Sequence, residues 1–239
     1  MNPTSLEEAK KLGQDVKRGI KGVKKTEVVL CPPFVYLSPL SGLVGGNLFL
    51  GAQNANEVTV GALTGEVSYS ELDQFGVKFV IVGHSERRKM GESDEVVNKK
   101  VKAVVGGGMT AIVCVGESSR DKDGDFYDFI KRQITADLKD VSKKSLAQVV
   151  VAYEPLWAIG AKEAMSARDL QETAIFIKKV LKDLFGVFSD DVRILYGGDA
   201  DRANSDKLVR DGNVDGLLIG RESLRAKDFI EIVKLVDAI

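Results

Sequence analysis

The 239-residue sequence predicts an α/β protein of repeated strand–helix units, arranged as a closed (β/α)8 barrel or as an open doubly wound sheet. Three observations support this prediction. Short apolar runs recur along the chain, segments with helical spacing separate them, and the length is close to the ~250 residues of a single α/β barrel. Most of the apolar runs are continuous, which is typical of parallel strands buried on both faces.

Seven apolar runs have the length of a strand. They are 27–30, 47–52, 78–83, 110–115, 148–153, 192–196 and 215–220. A closed barrel of this kind needs eight strands, and the sequence opens on a helical segment. We therefore expect the first strand of a barrel to be missing from the 239 residues.

Six segments show the clearest helical spacing. They are 5–20, 93–105, 126–138, 167–184, 203–212 and 226–236. Ser5, with Glu8 three residues later, and Ser166 are predicted to cap two of these helices. Because no low-complexity linker or shift in composition interrupts the pattern, residues 1–239 are predicted to form one domain.

Composition argues against several classes of function. The chain has 34 basic and 35 acidic side chains, whereas nucleic-acid-binding surfaces usually carry a basic excess. No apolar run approaches the ~18 residues of a membrane span, and the N-terminus lacks an apolar signal region. Cys31 and Cys114 fit buried strand positions in a reducing cytosol, and a single histidine without clustered thiols argues against a metal site. The sequence therefore predicts a cytoplasmic globular protein without nucleic-acid or membrane partners.

Two candidate catalytic residues follow strand runs, where α/β barrels carry their reactive groups. His84 follows the run 78–83 and precedes a possible helix start, whose partial positive charge would keep the imidazole neutral. Glu154 follows the run 148–153. The histidine is either catalytic or structural, and the glutamate is either a general base or a carboxylate paired with a cation at the barrel rim.

Glycines after the last two strand runs indicate a phosphate site. Gly197-Gly198 and Gly220 would form turns whose backbone N–H groups can point at an anion. Barrels commonly bind phosphate after their last two strands. Each turn alone is weak evidence, because glycine also marks ordinary sharp turns.

Three segments, 83–88 (GHSERR), 152–160 (AYEPLWAIG) and 196–198 (YGG), resemble in order and spacing the signature segments of the triosephosphate isomerase family. Residues 51–54, 61–66, 91–95 and 114–117 match the family as well. The resemblance covers essentially the whole chain. It implies a TIM barrel that interconverts glyceraldehyde 3-phosphate and dihydroxyacetone phosphate through an enediolate, in glycolysis and gluconeogenesis.

The resemblance implies roles for the residues at the strand ends. Glu154 would be the base that moves a proton between adjacent carbons, and His84 would polarise the substrate carbonyl as a neutral electrophile, the pair for which this family is known. Glu86 would be a supporting carboxylate behind them. No cofactor is implied. Backbone N–H groups would bind the substrate phosphate at Gly160, Asp199, Gly220 and Arg221.

A lid and a homodimer are implied in the same way. Pro155-Leu156-Trp157 resembles the N-terminal hinge of a lid that closes over the substrate. The long, mostly polar segment Asn54–Glu66 would reach into a partner subunit, with Thr64 near the partner's active site. A mobile surface loop is the alternative interpretation of this segment.

The sequence departs from the family pattern at three places. The family's opening strand ends in Asn-Trp-Lys-Met-Asn, and these 239 residues begin at Met1-Asn2, so they do not contain the active-site lysine. The lid continues as Ala161-Lys162-Glu163 where the family has Thr-Gly-Lys. Asp199 replaces a serine, and Arg221 replaces a glycine. Because a carboxylate would repel phosphate, Asp199 is predicted to turn away and cap the following short helix.

Two questions stay open at this point. Either residues upstream of Met1 supply the missing strand, which we favour for an active enzyme, or the chain is a seven-stranded relative. The alternatives to an isomerase are another phosphate-binding barrel enzyme and a non-catalytic or weakly active relative without the lysine. A Schiff-base aldolase would need a lysine on a strand, for which the strand runs offer no clear candidate.

Overall fold

The computed structural model describes residues 1–121, 123–158 and 165–239. Within them, seven parallel strands form one sheet in which each strand pairs with the next along the chain. The strands are β1 (Val28–Leu30), β2 (Leu48–Ala52), β3 (Val77–Val82), β4 (Thr110–Val115), β5 (Val149–Tyr153), β6 (Arg193–Tyr196) and β7 (Gly216–Leu217). This sequential parallel order confirms the predicted succession of strand–helix units and distinguishes it from a doubly wound sheet, whose strand order reverses.

Helices connect the strands and cover the outer face of the sheet. They are α1 (Leu6–Gly19), α2 (Leu37–Ser41), α3 (Tyr69–Asp73), α4 (Ser85–Lys89), α5 (Asp94–Gly106), α6 (Asp125–Asp137), α7 (Ala167–Phe185), α8 (Ser205–Asp211) and α9 (Ala226–Asp237). The two predicted caps are confirmed: Ser5 accepts a hydrogen bond from the Glu8 N–H, and Ser166 accepts one from the Asp169 N–H. The long helices lie within a few residues of their predicted positions.

The predicted strand bounds agree best with the structure at the centre of the sheet. The predicted run 110–115 coincides with β4, and β5 begins one residue after its predicted start. The predicted run 215–220 contains only the two residues of β7. Among the described residues β7 pairs on one side, with β6, so it has fewer ladder hydrogen bonds to keep it extended.

Alternating side chains of the strands form two layers of core. One set clusters on the inner, concave side of the sheet, and the other set packs against the helices. The buried members of the inner cluster are Phe79, Ile81, Ile112, Cys114, Val150 and Ala152. Val80, Val113 and Val151, which alternate with them, belong to the outer cluster together with buried residues of α5, α6 and α7.

The first and last helices join the two ends of the sheet. Val16 of α1 and Phe229 of α9 share a hydrophobic cluster with Val28 of β1. The carboxylate of Asp237 accepts hydrogen bonds from the backbone N–H groups of residues 24–26, at distances between 2.7 and 3.2 Å. The layer of helices therefore continues from the end of the chain to its beginning.

In the part of the chain that the structure describes, no helix combines the length and apolar character needed to span a membrane.

Candidate active site

The structure brings the two candidate catalytic residues into direct contact. His84 follows β3 and Glu154 follows β5, on either side of β4. The imidazole Nε2 lies 3.0 Å from Oε1 of Glu154, and the Ser85 N–H donates to Oε2 at 3.0 Å. Glu154 is 2% exposed, although it carries a carboxylate. One oxygen of this buried carboxylate faces an imidazole, and the other accepts from a backbone N–H. The carboxylate is therefore already oriented to accept a proton.

Glycines allow the backbone to pass close to this pair. Gly116, directly after β4, has no room for a side chain, because a Cβ atom would overlap the carbonyl oxygen of Glu154. A Cβ atom on Gly197 would lie 2.9 Å from Cγ of Glu154. Gly83 has a φ of +69°, a conformation that L side chains rarely adopt, and it turns the chain from β3 towards His84. These three glycines therefore determine where the carboxylate and the imidazole stand.

The hydrogen bonds of His84 define its tautomer. Its Nδ1 accepts from the Glu86 N–H, at 3.3 Å, in the first turn of α4. A nitrogen that accepts a hydrogen bond carries no proton, so the proton of the neutral ring is on Nε2, which faces Glu154. The Nε2–H group is therefore the hydrogen-bond donor of the neutral ring, and it can donate either to Glu154 or to a bound ligand.

The pKa of His84 is set by two opposing causes. Burial lowers the pKa of the imidazole, but the hydrogen bond and the charge of Glu154 raise it, and the net result is a pKa above 6.5. A ligand placed between the two side chains would break this hydrogen bond, while the charges of Glu154 and Glu86 would still raise the pKa of the imidazole.

The predicted supporting carboxylate, Glu86, is placed more loosely. Its side chain is largely exposed, and its Oε2 is 3.8 Å from Nδ1 of His84. The closer contact of this residue with the histidine is made by its backbone N–H. The structure thus places Glu86 beside the imidazole, with the main chain as the firmer contact.

A buried polar network that the sequence interpretation missed lies beside the site. Oε1 of Glu117, just after β4, accepts from Tyr153 Oη at 2.8 Å, Trp157 Nε1 at 2.7 Å and Arg120 Nε at 3.0 Å. Arg120 also donates to Thr173 of α7 at 2.7 Å. Glu117 belongs to the matched segment 114–117, but its partners could not be predicted from the sequence, because Tyr153 and Trp157 lie more than 30 residues further along the chain.

The last residues described before the predicted lid are attached to this network. Trp157 is held through its indole N–H, and the Leu156 N–H donates to the carbonyl oxygen of Glu117 at 3.0 Å. The predicted phosphate ligand Gly160 and the altered lid segment 161–163 lie outside the described residues.

The predicted phosphate turns follow the neighbouring strands β6 and β7. The Gly197 N–H is already used, because it donates to the carbonyl oxygen of Tyr153 at 2.8 Å. Asp199 and Arg221 meet across the two turns, with Arg221 Nη2 3.1 Å from Asp199 Oδ1. Gly220, which precedes Arg221, is exposed.

The prediction that Asp199 caps the following helix is wrong. The N-cap residue of α8 is Asn204, and its side chain donates to the carbonyl oxygen of Asp199 at 3.0 Å. The carboxylate that turns the chain before α8 belongs to Asp201, which accepts from the N–H groups of Ala203 and Asn204. The physical reason is charge: the guanidinium of Arg221 is close enough to neutralise Asp199, and this contact between residues 22 positions apart could not be predicted from the sequence.

A cavity of about 200 Å³ lies beside Glu154, with Ser85, Cys114 and Gln133 in its wall. Among the described residues, His, Cys, Asp and Glu form no cluster of three that could hold a metal ion.

Together, a parallel α/β sheet and an acid–base pair at the C-terminal ends of its strands define an enzyme of the α/β-barrel class. The model of the triosephosphate isomerase family matches residues 1–236, and the chain belongs to this family. Its fold is accordingly a TIM barrel.

Relatives named triosephosphate isomerase are similar along nearly their whole length. The chain is 42% identical to one from Thermoanaerobacter sp. over 230 residues, which cover 95% of this chain and 92% of the relative. It is 39% identical to one from Syntrophotalea carbinolica over 238 residues, 98% and 94% of the two chains. A relative from Idiomarina loihiensis is 37% identical over 226 residues, 93% and 90% of the two chains.

Proposed function

We propose that this protein is a triose-phosphate isomerase that interconverts glyceraldehyde 3-phosphate and dihydroxyacetone phosphate. The observation that supports it most is the contact between His84 Nε2 and buried Glu154 Oε1 at 3.0 Å, in a chain that belongs to the triosephosphate isomerase family. A base and a neutral hydrogen-bond donor that face each other fit a substrate with an acidic C–H bond next to a carbonyl group.

In this mechanism the substrate lies between the two side chains. Glu154 removes a proton from the carbon next to the carbonyl, and the electron pair of that C–H bond moves to the carbonyl oxygen. His84 donates its Nε2–H hydrogen bond to the oxygen on which negative charge develops. Glu154 then returns this proton to the former carbonyl carbon, while the hydroxyl group on the other carbon becomes the new carbonyl and its proton passes to the former carbonyl oxygen, which completes the isomerisation without net oxidation or reduction.

Burial of Glu154 favours this role. Glu154 is 2% exposed, and the Ser85 N–H keeps one of its oxygens in place. Removal of a general acid or base typically costs ~10²–10⁴-fold in rate. In its neutral state His84 would donate from Nε2, because an imidazole that accepts a backbone N–H at Nδ1 keeps its proton on Nε2.

Substrate phosphate would bind at the turns after β6 and β7. Gly220, Asp199 and Arg221 are the residues of these turns that we assign to it, and Gly160 would add a backbone N–H from the lid. The close approach of Gly197 to Glu154 supports this, because it places one phosphate turn directly beside the base. No cofactor takes part in the proposed reaction.

The protein would act as a homodimer in the cytoplasm. The segment Asn54–Glu66 exposes Val58, Val60 and Leu63, and exposed apolar clusters often mark interfaces. The first residue of the segment is held in place, since buried Lys100 donates to Asn54 Oδ1 at 2.8 Å and pairs with Glu92. The free thiols Cys31 and Cys114 suit a reducing compartment.

Steady-state kinetics with glyceraldehyde 3-phosphate tests the proposal. We expect E154Q to lower kcat at least ~10³-fold and H84Q to lower it about 10²-fold, with smaller changes in KM. The matched control is E172Q, which changes an exposed glutamate of α7 that pairs with Arg168. An E154Q enzyme as fast as E172Q would remove Glu154 from the chemistry.

A further inference from the structure

Asp199 and Arg221, which both differ from the family pattern, are in contact with each other. Arg221 Nη2 donates to Asp199 Oδ1 at 3.1 Å, and the two residues follow the adjacent strands β6 and β7. The pair is open to solvent, with the arginine side chain 77% exposed and the aspartate side chain 41% exposed. Two unusual charges of opposite sign therefore stand together at the mouth of the proposed phosphate site.

The surrounding hydrogen bonds hold the aspartate side of this pair. The Asp199 carbonyl oxygen accepts from Asn204 Nδ2 at 3.0 Å, and Asn204 Oδ1 accepts from the Asp201 N–H at 2.8 Å. Gly220, before Arg221, accepts from the Ser223 hydroxyl at 2.5 Å and the Ser223 N–H at 3.0 Å. Both turns are thus fixed, and the exposed part of the pair is the guanidinium.

Charge explains why an aspartate at one turn is accompanied by an arginine at the other. A carboxylate alone at this place would repel a phosphate dianion, whereas a carboxylate paired with a guanidinium leaves the empty site neutral. A guanidinium has five N–H donors in a planar fork that matches a phosphate, and the contact with Asp199 uses one of them. Exposed ion pairs contribute little to stability, so the fold gains little from this one.

We propose that the side chain of Arg221 binds the substrate phosphate, and that Asp199 is a positioning residue that holds this guanidinium. The site would then recognise phosphate through a side-chain cation, in addition to backbone N–H groups. This inference rests on the proposed function, because it concerns the phosphate end of the same substrate.

Titration of the full chain with inorganic phosphate in a calorimeter tests the inference without turnover. We expect R221Q to weaken phosphate binding at least tenfold. The double variant D199N/R221Q should also stay at least about fivefold weaker than the parent, because it lacks the guanidinium that contacts the phosphate. The matched control is R225Q, since Arg225 pairs with Glu222 and Asp228 outside the two phosphate turns and should leave affinity within twofold.

Kinetics with glyceraldehyde 3-phosphate gives the second readout. R221Q should raise KM about tenfold with little change in kcat, whereas a general loss of structure would lower kcat and the melting temperature as well. The inference is overturned if R221Q binds phosphate within twofold of the parent, or if the double variant recovers the affinity of the parent, since Arg221 would then only neutralise Asp199. A chain that lacks isomerase activity but shows the expected phosphate pattern would overturn the proposed function alone.

Discussion

At the scale of single residues, the pair His84–Glu154 is defined by its immediate neighbours. The imidazole accepts one backbone N–H at Nδ1 and faces the carboxylate at Nε2, while Gly116 and Gly197 leave space for Glu154. The positions of both residues after strand runs were enough to predict that they would share a site. The 3.0 Å contact and its effect on the pKa of the imidazole depend on register and burial, which a strand pattern does not specify.

Because His84 is the only histidine, its titration can be followed by NMR without assignment of other rings. We expect its pKa to lie above 6.5 in the unliganded enzyme and to fall in E154Q, where burial remains but the charge of Glu154 is gone. By linkage, the contact stabilises the fold below pH ~6.5, and this contribution is lost as pH rises through the raised pKa. An unchanged or higher pKa in E154Q would show that another group controls the imidazole.

At the scale of elements, the ends of β4 and β5 are joined by the Glu117 network. One buried carboxylate oxygen accepts from three side chains, and Arg120 connects the network to α7. The guanidinium also stacks over Phe126 and Trp157, at 4.5 and 5.1 Å from their ring centroids. This network anchors the residues that lead into the predicted lid.

The variant E117A should lower the free energy of unfolding by ~3–5 kcal/mol, because it leaves the half-buried Arg120, the buried Tyr153 hydroxyl and the partly buried Trp157 indole N–H without this acceptor. Urea denaturation measures this change. The comparison variant is E172A, which removes an exposed helical ion pair with Arg168 and should change stability by less than ~1 kcal/mol. Equal losses in the two variants would mean that the network does not stabilise the element ends.

At the scale of the whole molecule, the local sequence pattern predicted the seven strands and the long helices, because their side chains repeat with a recognisable period. The helices α2 and α3 are only five residues each, too short to show such a period, and were missed, whereas the start of α4 was predicted after His84. The contact between Asp199 and Arg221 joins residues 22 positions apart. Such a pairing depends on which strands are neighbours, so the capping role predicted for Asp199 was wrong.

The exposed apolar side chains of the segment Asn54–Glu66 lead to the prediction of a homodimer. Val60 is 87% exposed, and burial of such a side chain against a second copy would stabilise association. Light scattering at micromolar concentration should give about twice the 25.9 kDa of one chain. V60D should shift the protein towards the monomer, while V187D, at another exposed valine, should not. A parent chain that scatters only as a monomer would contradict this prediction.

The most direct test of proton transfer through Glu154 is isomerisation in deuterated water, followed by NMR of the product carbons. If Glu154 holds the substrate proton between removal and return, that proton can exchange with solvent, and the product should carry deuterium on the carbon that receives it. E154Q should form labelled product at least ~10³-fold more slowly. Product formed by the parent chain at full rate without deuterium on that carbon would contradict proton transfer through an exchangeable base.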